Sequence, residues 1–463
     1  MGAARIVHLL TGCCKTKSHA QQVLAQILAG NLRSDSTVAY SFISACDALN
    51  LLSSVAFPLY INSITKPHTF VCNALLRAYS HSSVPRKSLI VYSHMNRNAI
   101  GVNHYTFPFV LKALADLRVI EVGKSVHSQV IKLGFTNDVY VGNSLLNLYA
   151  ASGDMFLCGK VFDEMPLRDV VSWTVMISGY KEAERFDDAL IAFEKMRSHG
   201  VMPNQVTAVN ALPACGALGA LDMGIWIHDH VRRNGWELDV ILGTALIDMY
   251  GKCGQIDEVI SVFEDMSEKN VFTWNAVIMG LALSKNGKEA IKWFRKMNEE
   301  RVCPDEVTLI AVLSACVHSG FVHMGRRVFA SLLVGRYGFK PNVKHYSCIV
   351  GLLARSNCLD EAVRVIKGMP FEPTVSVWGS VLLGSRAFAN FGLSELAAWK
   401  LVELEPQRSA HYVVLSNLYA DMGRWSDVEE VRKLMKDRGL TKDIGGSKIE
   451  MENNQEDSLL VAI

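Results

Sequence analysis

The chain has 463 residues, half of them hydrophobic, and a formal net charge of +2 at pH 7. Its pI of about 8.0 is below the value of roughly 9 that indicates a nucleic-acid binder dominated by phosphate contacts, and no apolar run approaches the ~20 residues of a membrane span. The eleven cysteines contain no C-x-x-C pair, which favours buried thiols in a reducing compartment over a disulfide framework.

The N-terminal segment is basic. The first 34 residues contain no Asp or Glu, and their charged side chains are Arg5, Lys15, Lys17 and Arg33. This bias is typical of an organellar transit peptide. The stretch 8–31 also has the pattern of a degenerate helical repeat, so we predict a short transit-like segment together with a degenerate repeat in residues 1–37.

The rest of the chain repeats itself with an offset of 101 residues. A fixed period of this kind predicts a stack of small modules, each of which buries its apolar face against its neighbours. One period divides into units of 35, 35 and 31 residues, namely 170–204, 205–239 and 240–270. Matched pairs at this offset include Trp173 and Trp274, Phe162 and Phe263, Tyr149 and Tyr250, His127 and His228, and Cys215 and Cys316.

Each unit predicts two amphipathic helices. In 271–305, Trp274, Val277, Ile278 and Leu281 fall on one face of the first helix. Strand-like alternation is absent, so the predicted fold class is all-α, a right-handed superhelical solenoid of helix-turn-helix repeats. The predicted array covers 38–374 and consists of repeats 38–68, 69–103, 104–138, 139–169, 170–204, 205–239, 240–270, 271–305, 306–342 and 343–374. Two helical motifs in 375–442 and a tail at 443–463 follow.

The ends of the 35-residue units carry a recognisable pattern. Met-x(6)-Pro-Asn or Met-x(6)-Pro-Asp, at 196–204 and 297–305, resembles the pentatricopeptide repeat family. The rotation of ordinary, long and short units resembles its PLS subclass, as do the segments DVVSW at 169–173 and LSAC at 313–316. The units 375–408 and 409–442 resemble the paired E motifs of plant organellar RNA-editing factors.

The resemblance implies binding of single-stranded organellar RNA, one nucleotide per repeat. It implies that the fifth and last residues of a repeat select the base by hydrogen bonding. The implied pairs are Asn73 with Asn103 for a pyrimidine, Asn143 with Asp169 for uracil, Thr174 with Asn204 for adenine, Thr244 with Asn270 for adenine, and Asn275 with Asp305 for uracil. Read from 5′ to 3′, the implied target is pyrimidine-N-U-A-N-A-U.

The second residue of a repeat is implied to pack against the plane of the base, where an apolar or aromatic side chain is suitable. The implied stacking residues are Phe70, Tyr140, Val171, Ile241 and Phe272. Three long repeats depart from the pattern, because Pro108, Val209 and Ile310 at their fifth positions cannot hydrogen-bond a base through their side chains. The two terminal short repeats offer Phe42 with His68 and Ser347 with Thr374, and neither pair implies a defined base.

The same residues also have a purely structural interpretation. Asp169, Asn204, Asn270 and Asp305 each precede a predicted helix, and Asn and Asp are favoured N-caps. Capping is compatible with base selection, so the residues alone leave both roles open. The Trp173 and Trp274 series is expected in the core, and His127 and His228 are expected to be packed structural residues and not metal ligands.

The sequence predicts a binding protein and not an enzyme. None of the fourteen histidines is followed by x-Glu, and there is no P-loop, nucleophile elbow or H-E-x-x-H motif. We therefore expect no cofactor, no metal, no small-molecule substrate and no membrane partner. The resemblance to E-type editing factors without a DYW deaminase domain implies that a DYW-type deaminase acts in trans, with organellar editing cofactors, in the mitochondrion more than in the chloroplast.

Two other functions remain open from the sequence. The first is splicing, processing or stabilisation of an organellar transcript, for which RNA binding alone suffices. The second belongs to another class, a protein-binding scaffold of the tetratricopeptide type. Such scaffolds have a 34-residue period and a W-x-x-L-G-x-x-Y pattern, and this chain has neither.

Overall fold

A computed structural model describes residues 3–12, 14–32, 35–62 and 67–441. The regular elements within these ranges are helical, and no strand occurs among them. The predicted tail at 443–463 lies outside the described residues. So do positions 1, 2, 13, 33 and 34 of the predicted N-terminal segment, 63–66 of the predicted repeat 38–68, and 442 at the end of the predicted E-like motifs.

The helices are short and follow one another at close intervals. In chain order they are α1 Ala3–Gly12, α2 Lys17–Ala29, α3 Ser36–Ala48, α4 Thr69–Ser80, α5 Arg86–Arg97, α6 Thr106–Leu117, α7 Ile120–Lys132, α8 Val139–Ala151, α9 Met155–Glu164, α10 Val170–Glu182, α11 Phe186–Ser198, α12 Gln205–Leu218, α13 Leu221–Arg233, α14 Val240–Lys252, α15 Ile256–Asp265, α16 Val271–Leu283, α17 Gly287–Glu299, α18 Glu306–Ser319, α19 Val322–Leu333, α20 Val343–Arg355, α21 Leu359–Lys367, α22 Val375–Ala387, α23 Phe391–Leu404, α24 Ser409–Asp421 and α25 Trp425–Asp437.

The chain forms two compact units, Met1–Cys253 with Asp265–Ser267 and Gly254–Glu264 with Glu268–Ile463. In the first unit the even-numbered helices from α4 to α14 each pack against the next one, and α5, α9, α11 and α13 pack against the helices that precede them. In the second unit α16, α18, α20 and α22 form the same kind of row, backed by α17, α19, α21 and α23. Each unit is therefore an all-α solenoid of helix hairpins.

The 101-residue period is visible in the packing of aromatic side chains. The Phe162 and Trp173 rings meet edge-on with centroids 4.7 Å apart, and the Phe263 and Trp274 rings do so at 4.8 Å. Both tryptophans are buried, which confirms that this series belongs to the core. The same offset recurs where helices end, because Gly219 and Gly320 close α12 and α18 in the left-handed conformation that glycine adopts without strain.

One predicted repeat differs from the helix-pair pattern. In 38–68 the first helix is α3, but two short π-helical segments, Leu52–Ala56 and Pro58–Asn62, stand where a second α-helix was expected. Pro58 has no backbone N–H to donate into an α-helix, which explains the irregular backbone there. The expectation of two amphipathic α-helices in every unit is therefore wrong for this repeat.

None of the described helices combines the length and the apolar character that crossing a bilayer demands. Within the described residues, no three His, Cys, Asp or Glu side chains come together as the ligands of a metal ion would.

Two histidines at the same offset, half-buried His127 and buried His228, each contact a tyrosine. His127 Nδ1 lies 2.8 Å from the hydroxyl of Tyr149, and His228 Nδ1 lies 2.9 Å from that of Tyr250. Burial lowers the pKa of His228 to about 4, and the positive charge of Arg232 acts in the same direction. These contacts support the structural role expected of both histidines.

The low pKa of His228 makes folding sensitive to acid. Because the unfolded chain takes up this proton near pH 6.5 and the folded chain near pH 4, the stability that His228 contributes is complete above pH 6.5 and is lost as the pH falls through this window. We expect a loss of about 2 kcal/mol between pH 7 and pH 5 from this group. Urea unfolding at the two pH values measures the loss.

The variant His228→Gln should lose less stability between pH 7 and pH 5 than the parent protein. His323→Gln, at an exposed position, is the control and should keep the parent's pH dependence. An unchanged pH dependence in His228→Gln would contradict the assignment.

Candidate nucleic-acid interface

The predicted stacking residues lie on the surface. Phe70, Tyr140, Val171, Ile241 and Phe272 are all exposed, with 77% of Tyr140 and 62% of Phe272 accessible to solvent. Each is the second residue of the first helix in its repeat, so it projects from the first helical turn. Large apolar side chains left exposed at a repeated position indicate a binding role, since the core does not use them.

Three further residues, not predicted from the sequence, occupy the second position of their repeats. Tyr105, Val206 and Val307 are the second residues of the three long repeats, and they too are exposed. They could have been predicted from their position in the repeat, which can be identified even where the fifth residue cannot hydrogen-bond a base. From 69–103 to 306–342, every repeat therefore presents an apolar side chain at its second position.

The structure brings the fifth and last residues of repeat 139–169 into direct contact. Asn143 Nδ2 donates to Asp169 Oδ1 at 3.1 Å. A third side chain, Ser172 from the first turn of the next repeat, donates its hydroxyl to Asn143 Oδ1 at 2.7 Å. Both polar groups of the Asn143 amide are therefore hydrogen-bonded, and the residue is 9% exposed.

Two further pairs have the same geometry. Asn73 Nδ2 donates to Asn103 Oδ1 at 3.1 Å, and Asn275 Nδ2 donates to Asp305 Oδ1 at 2.9 Å. Hydroxyls of the following repeats again donate to the amide oxygens, from Thr106 to Asn73 Oδ1 at 2.8 Å and from Thr308 to Asn275 Oδ1 at 2.5 Å.

The pair in repeat 170–204 is joined indirectly. The hydroxyls of Thr174 and Thr207 lie 2.7 Å apart, and the Thr207 hydroxyl donates to Asn204 Oδ1 at 2.9 Å. The one hydroxyl hydrogen of Thr174 has two alternative acceptors, the Thr207 hydroxyl and, at 2.6 Å, the backbone carbonyl of Val170. Thr207 therefore links the fifth residue of this repeat to its last residue. We call Thr106, Ser172, Thr207 and Thr308 the bridging hydroxyls.

The residues of the fifth predicted pair fall in different compact units and are described separately. Thr244 lies on α14 and is half-buried. Asn270 caps α16, where its Oδ1 accepts the backbone N–H groups of Phe272 at 3.0 Å and Thr273 at 3.2 Å. Selection of adenine by Thr244 with Asn270 stays a prediction from the sequence.

The last residues of the repeats are also helix caps, as the structural interpretation expected. Oδ1 of Asp169, Asn204 and Asp305 accepts the backbone N–H three residues later, at 2.9, 2.9 and 2.8 Å. Capping fixes the position of Oδ1, because this atom faces the helix end. The other atom of the group is consequently the one left for a ligand: Oδ2 in Asp and Nδ2 in Asn.

The protonation state of Asp169 matters for this role. Partial burial raises the pKa of its carboxyl group, but hydrogen bonds from the Ser172 backbone, Asn143 and the Ser172 hydroxyl outweigh burial and hold the pKa below its ordinary value. Asp169 is therefore ionised at neutral pH and acts only as a hydrogen-bond acceptor.

The structure also describes the two terminal short repeats, 38–68 (apart from 63–66) and 343–374, for which no defined base is predicted. Phe42 is fully buried, so the fifth residue of repeat 38–68 cannot face a ligand. His68, the last residue of that repeat, accepts the Phe70 N–H through Nδ1 at 3.2 Å as the cap of α4. Thr374 precedes α22 without a side-chain cap bond.

Comparison with protein families matches three models. The PPR repeat family matches residues 168–215 and 269–318, the PPR repeat matches 143–170 and 244–271, and the E motif matches 388–450. A mitochondrial pentatricopeptide repeat-containing protein of Arabidopsis thaliana is 36% identical over 406 residues, which cover 87% of this chain and 87% of that protein. A second Arabidopsis thaliana pentatricopeptide repeat-containing protein is 35% identical over 480 residues, with 96% of this chain and 77% of that protein covered.

Solved structures give a more distant likeness. The crystal structure of the pentatricopeptide repeat protein PPR10 from maize overlaps 95% of this chain and 74% of its own length, with 16% sequence identity and a TM-score of 0.48.

Proposed function

Because this chain belongs to the pentatricopeptide repeat family, as an E-type member of its PLS subclass, we propose that it binds single-stranded organellar RNA and selects its sequence one base per repeat. The observation that carries the proposal is a constellation found in three repeats. A polar fifth residue is hydrogen-bonded to the last residue of the same repeat, for example Asn143 to Asp169 at 3.1 Å, while the second residue, Tyr140, is exposed and apolar.

The atoms left by capping give a physical basis for base choice. Asp169 and Asp305 offer Oδ2, an acceptor, which matches uracil because its N3 carries a hydrogen. Asn204 offers Nδ2, a donor, which matches adenine because its N1 is an acceptor. By the same logic Asn103, whose Oδ1 is used in capping, favours cytosine over uracil within the pyrimidine predicted for repeat 69–103.

The fifth residue separates pyrimidines from purines by its reach. The side chains of Asn73, Asn143 and Asn275 extend further from the helix than that of Thr174. They therefore leave room only for a pyrimidine, which has one ring where a purine has two. The side chain of Thr174 is short and half-buried beside Thr207. Its hydroxyl, as both donor and acceptor, can pair with the exocyclic group of a purine. Matched hydrogen bonds of this kind give roughly 1–3 kcal/mol of discrimination per base in DNA recognition.

The biological role that we propose for this selection is cytidine-to-uridine editing. The E motif at 388–450 supports this role, and the relative named above as mitochondrial supports an organellar site of action, with the mitochondrion favoured. A DYW-type deaminase in trans supplies the zinc chemistry, together with organellar editing cofactors. Exposed Trp425 and Leu383, on α25 and α22, give the E-like motifs apolar surface for a protein partner.

Selection of RNAs from a random single-stranded pool tests the proposal directly. The purified chain at near-physiological salt should enrich pyrimidine-N-U-A-N-A-U. The affinity of the enriched RNA should fall as salt rises, because phosphate contacts release counterions. A folded protein that enriches no sequence would contradict base selection, and an enriched motif with a different base order would contradict the assigned register.

A further inference from the structure

We propose that the bridging hydroxyls are positioning residues for base selection, so that a repeat reads its base correctly only when the next repeat begins with a hydroxyl at its third position. This inference rests on the proposed function. It concerns Thr106, Ser172 and Thr308, which act on the amides of Asn73, Asn143 and Asn275, and Thr207, which acts on the hydroxyl of Thr174.

The hydrogen bonds around Ser172 form a closed ring. The Asp169 backbone N–H donates to Ser172 Oγ at 3.2 Å, and Ser172 Oγ donates to Asn143 Oδ1 at 2.7 Å. Asn143 Nδ2 donates to Asp169 Oδ1 at 3.1 Å, and this oxygen also accepts the Ser172 N–H at 2.9 Å. The Ser172 hydroxyl also lies 2.9 Å from Asp169 Oδ1, so its one hydrogen is shared between that oxygen and the nearer Asn143 Oδ1.

The same ring closes around Thr308. The Asp305 N–H donates to Thr308 Oγ1 at 3.1 Å, Thr308 Oγ1 donates to Asn275 Oδ1, and Asn275 Nδ2 donates to Asp305 Oδ1. Thr106 closes an equivalent ring with Asn73 and Asn103. The hydroxyl residues are fully buried, so water cannot replace them as donors to the amide oxygen.

Two anchors hold an amide more firmly than one. With both Oδ1 and Nδ2 bonded, the plane of the Asn amide is fixed, and its second N–H points in one direction. Without the hydroxyl, the amide keeps only its bond to the last residue and can pivot about it, while its oxygen is left buried and unpaired. The second N–H of the amide then loses its defined direction toward a base.

Capping alone does not explain these hydroxyls. After the long repeats 104–138 and 205–239, the third residues are Val141 and Leu242, and the fifth residues Pro108 and Val209 offer no side-chain donor. Asp138 and Asp239 nevertheless cap α8 and α14, through the N–H groups of Val141 at 3.0 Å and Leu242 at 2.8 Å. Within residues 69–308 a hydroxyl follows each polar fifth residue, whereas Ser347 further along the chain is followed by Val377, and the cap forms equally well without a hydroxyl.

The test compares Thr308→Val, which keeps the shape of the side chain but removes the donor, with Thr308→Ser, which keeps the donor. RNAs that differ only in the base facing repeat 271–305 are bound to each variant. We expect Thr308→Val to lower the preference for uracil over guanine, the purine whose N1–H also suits Asp305, about three- to tenfold at this register. The base preference facing repeat 170–204 should not change, and Thr308→Ser should restore the preference at 271–305.

A second site and a control keep the outcomes distinct. Ser172→Ala should act in the same way at repeat 139–169 if Thr308→Val fails to fold, and Ser172→Thr should restore the preference. Ser394→Ala removes another fully buried hydroxyl, bonded to Ser385 and Asn390 in the E-like motifs, and should leave every base preference unchanged. A lower melting temperature or a uniform loss of affinity, with base preference intact, would overturn the inference.

The parent protein separates this inference from the function on which it rests. If the parent shows no base preference at either register, the proposed function fails and the inference falls with it. If the parent selects uracil and Thr308→Val selects it equally well, the function stands and the positioning role is wrong.

Discussion

Replacement of Asn204 by Asp is expected to change the base preferred by repeat 170–204 from adenine to guanine. Capping engages Oδ1 of Asn204, which accepts the Thr207 N–H at 2.9 Å, so the amide nitrogen is the atom left for a base. In Asn204→Asp an oxygen takes the place of this nitrogen. An acceptor suits guanine, whose N1 carries a hydrogen, whereas a donor suits adenine.

The measurement is the ratio of affinities for two RNAs that differ only in that base. Each matched contact gives roughly 1–3 kcal/mol, so the ratio should change by about 5- to 150-fold. The added negative charge weakens binding of any RNA, and the ratio cancels this effect because both RNAs carry the same phosphates. The fold should persist, since Asp and Asn are comparable N-caps.

Asn390→Asp is the matched control for this exchange. Asn390 caps α23 by accepting the Leu393 N–H at 3.2 Å, in the E-like motifs outside the predicted repeat array. The control adds the same charge at the same kind of position and should leave the adenine-to-guanine ratio unchanged. Persistent preference for adenine in Asn204→Asp would show that the base assignment of this repeat is wrong.

The fold could be predicted from the sequence because its determinants are local and repeated. The apolar spacing of Trp274, Val277, Ile278 and Leu281 places these residues on the buried face of α16, where the structure has them. Asp169 and Asn204 indicate helix starts, and α10 and α12 begin at the residues that follow them. A local pattern fails where the backbone is irregular, as it does between Leu52 and Asn62.

The bridging hydroxyls could not be found in the same way. Ser172 belongs to one repeat and acts on Asn143, which lies 29 residues earlier in the preceding repeat. The sequence of a single repeat predicts for Ser172 only a role in the cap of its own helix. The signal that could have revealed the contact is a correlation within residues 69–308, in which a third-position hydroxyl follows a polar fifth residue and is missing after Pro108 and Val209.

The second exchange with a large expected effect removes stacking surface. Tyr140→Ala and Phe272→Ala should each weaken RNA binding by about 5- to 150-fold, because the stacking of one base on an aromatic ring is worth roughly 1–3 kcal/mol. Both side chains are well exposed in the first turn of a helix, and alanine is a better helix former than either. Stability should therefore hardly change. Binding of the enriched RNA, measured by titration at several salt concentrations, tests the prediction.

Salt dependence distinguishes stacking from an electrostatic contribution. Neither Tyr140 nor Phe272 carries a charge, so the slope of log affinity against log salt should remain that of the parent protein while the affinity itself falls. Phe156→Ala is the matched control, since Phe156 is an equally exposed aromatic on α9, the second helix of its repeat, with Lys160 above its ring. If Phe156→Ala weakens RNA binding as much as Tyr140→Ala does, the stacking role assigned to the second position is wrong. An exposed ring outside the first helix would then contribute equally to RNA binding.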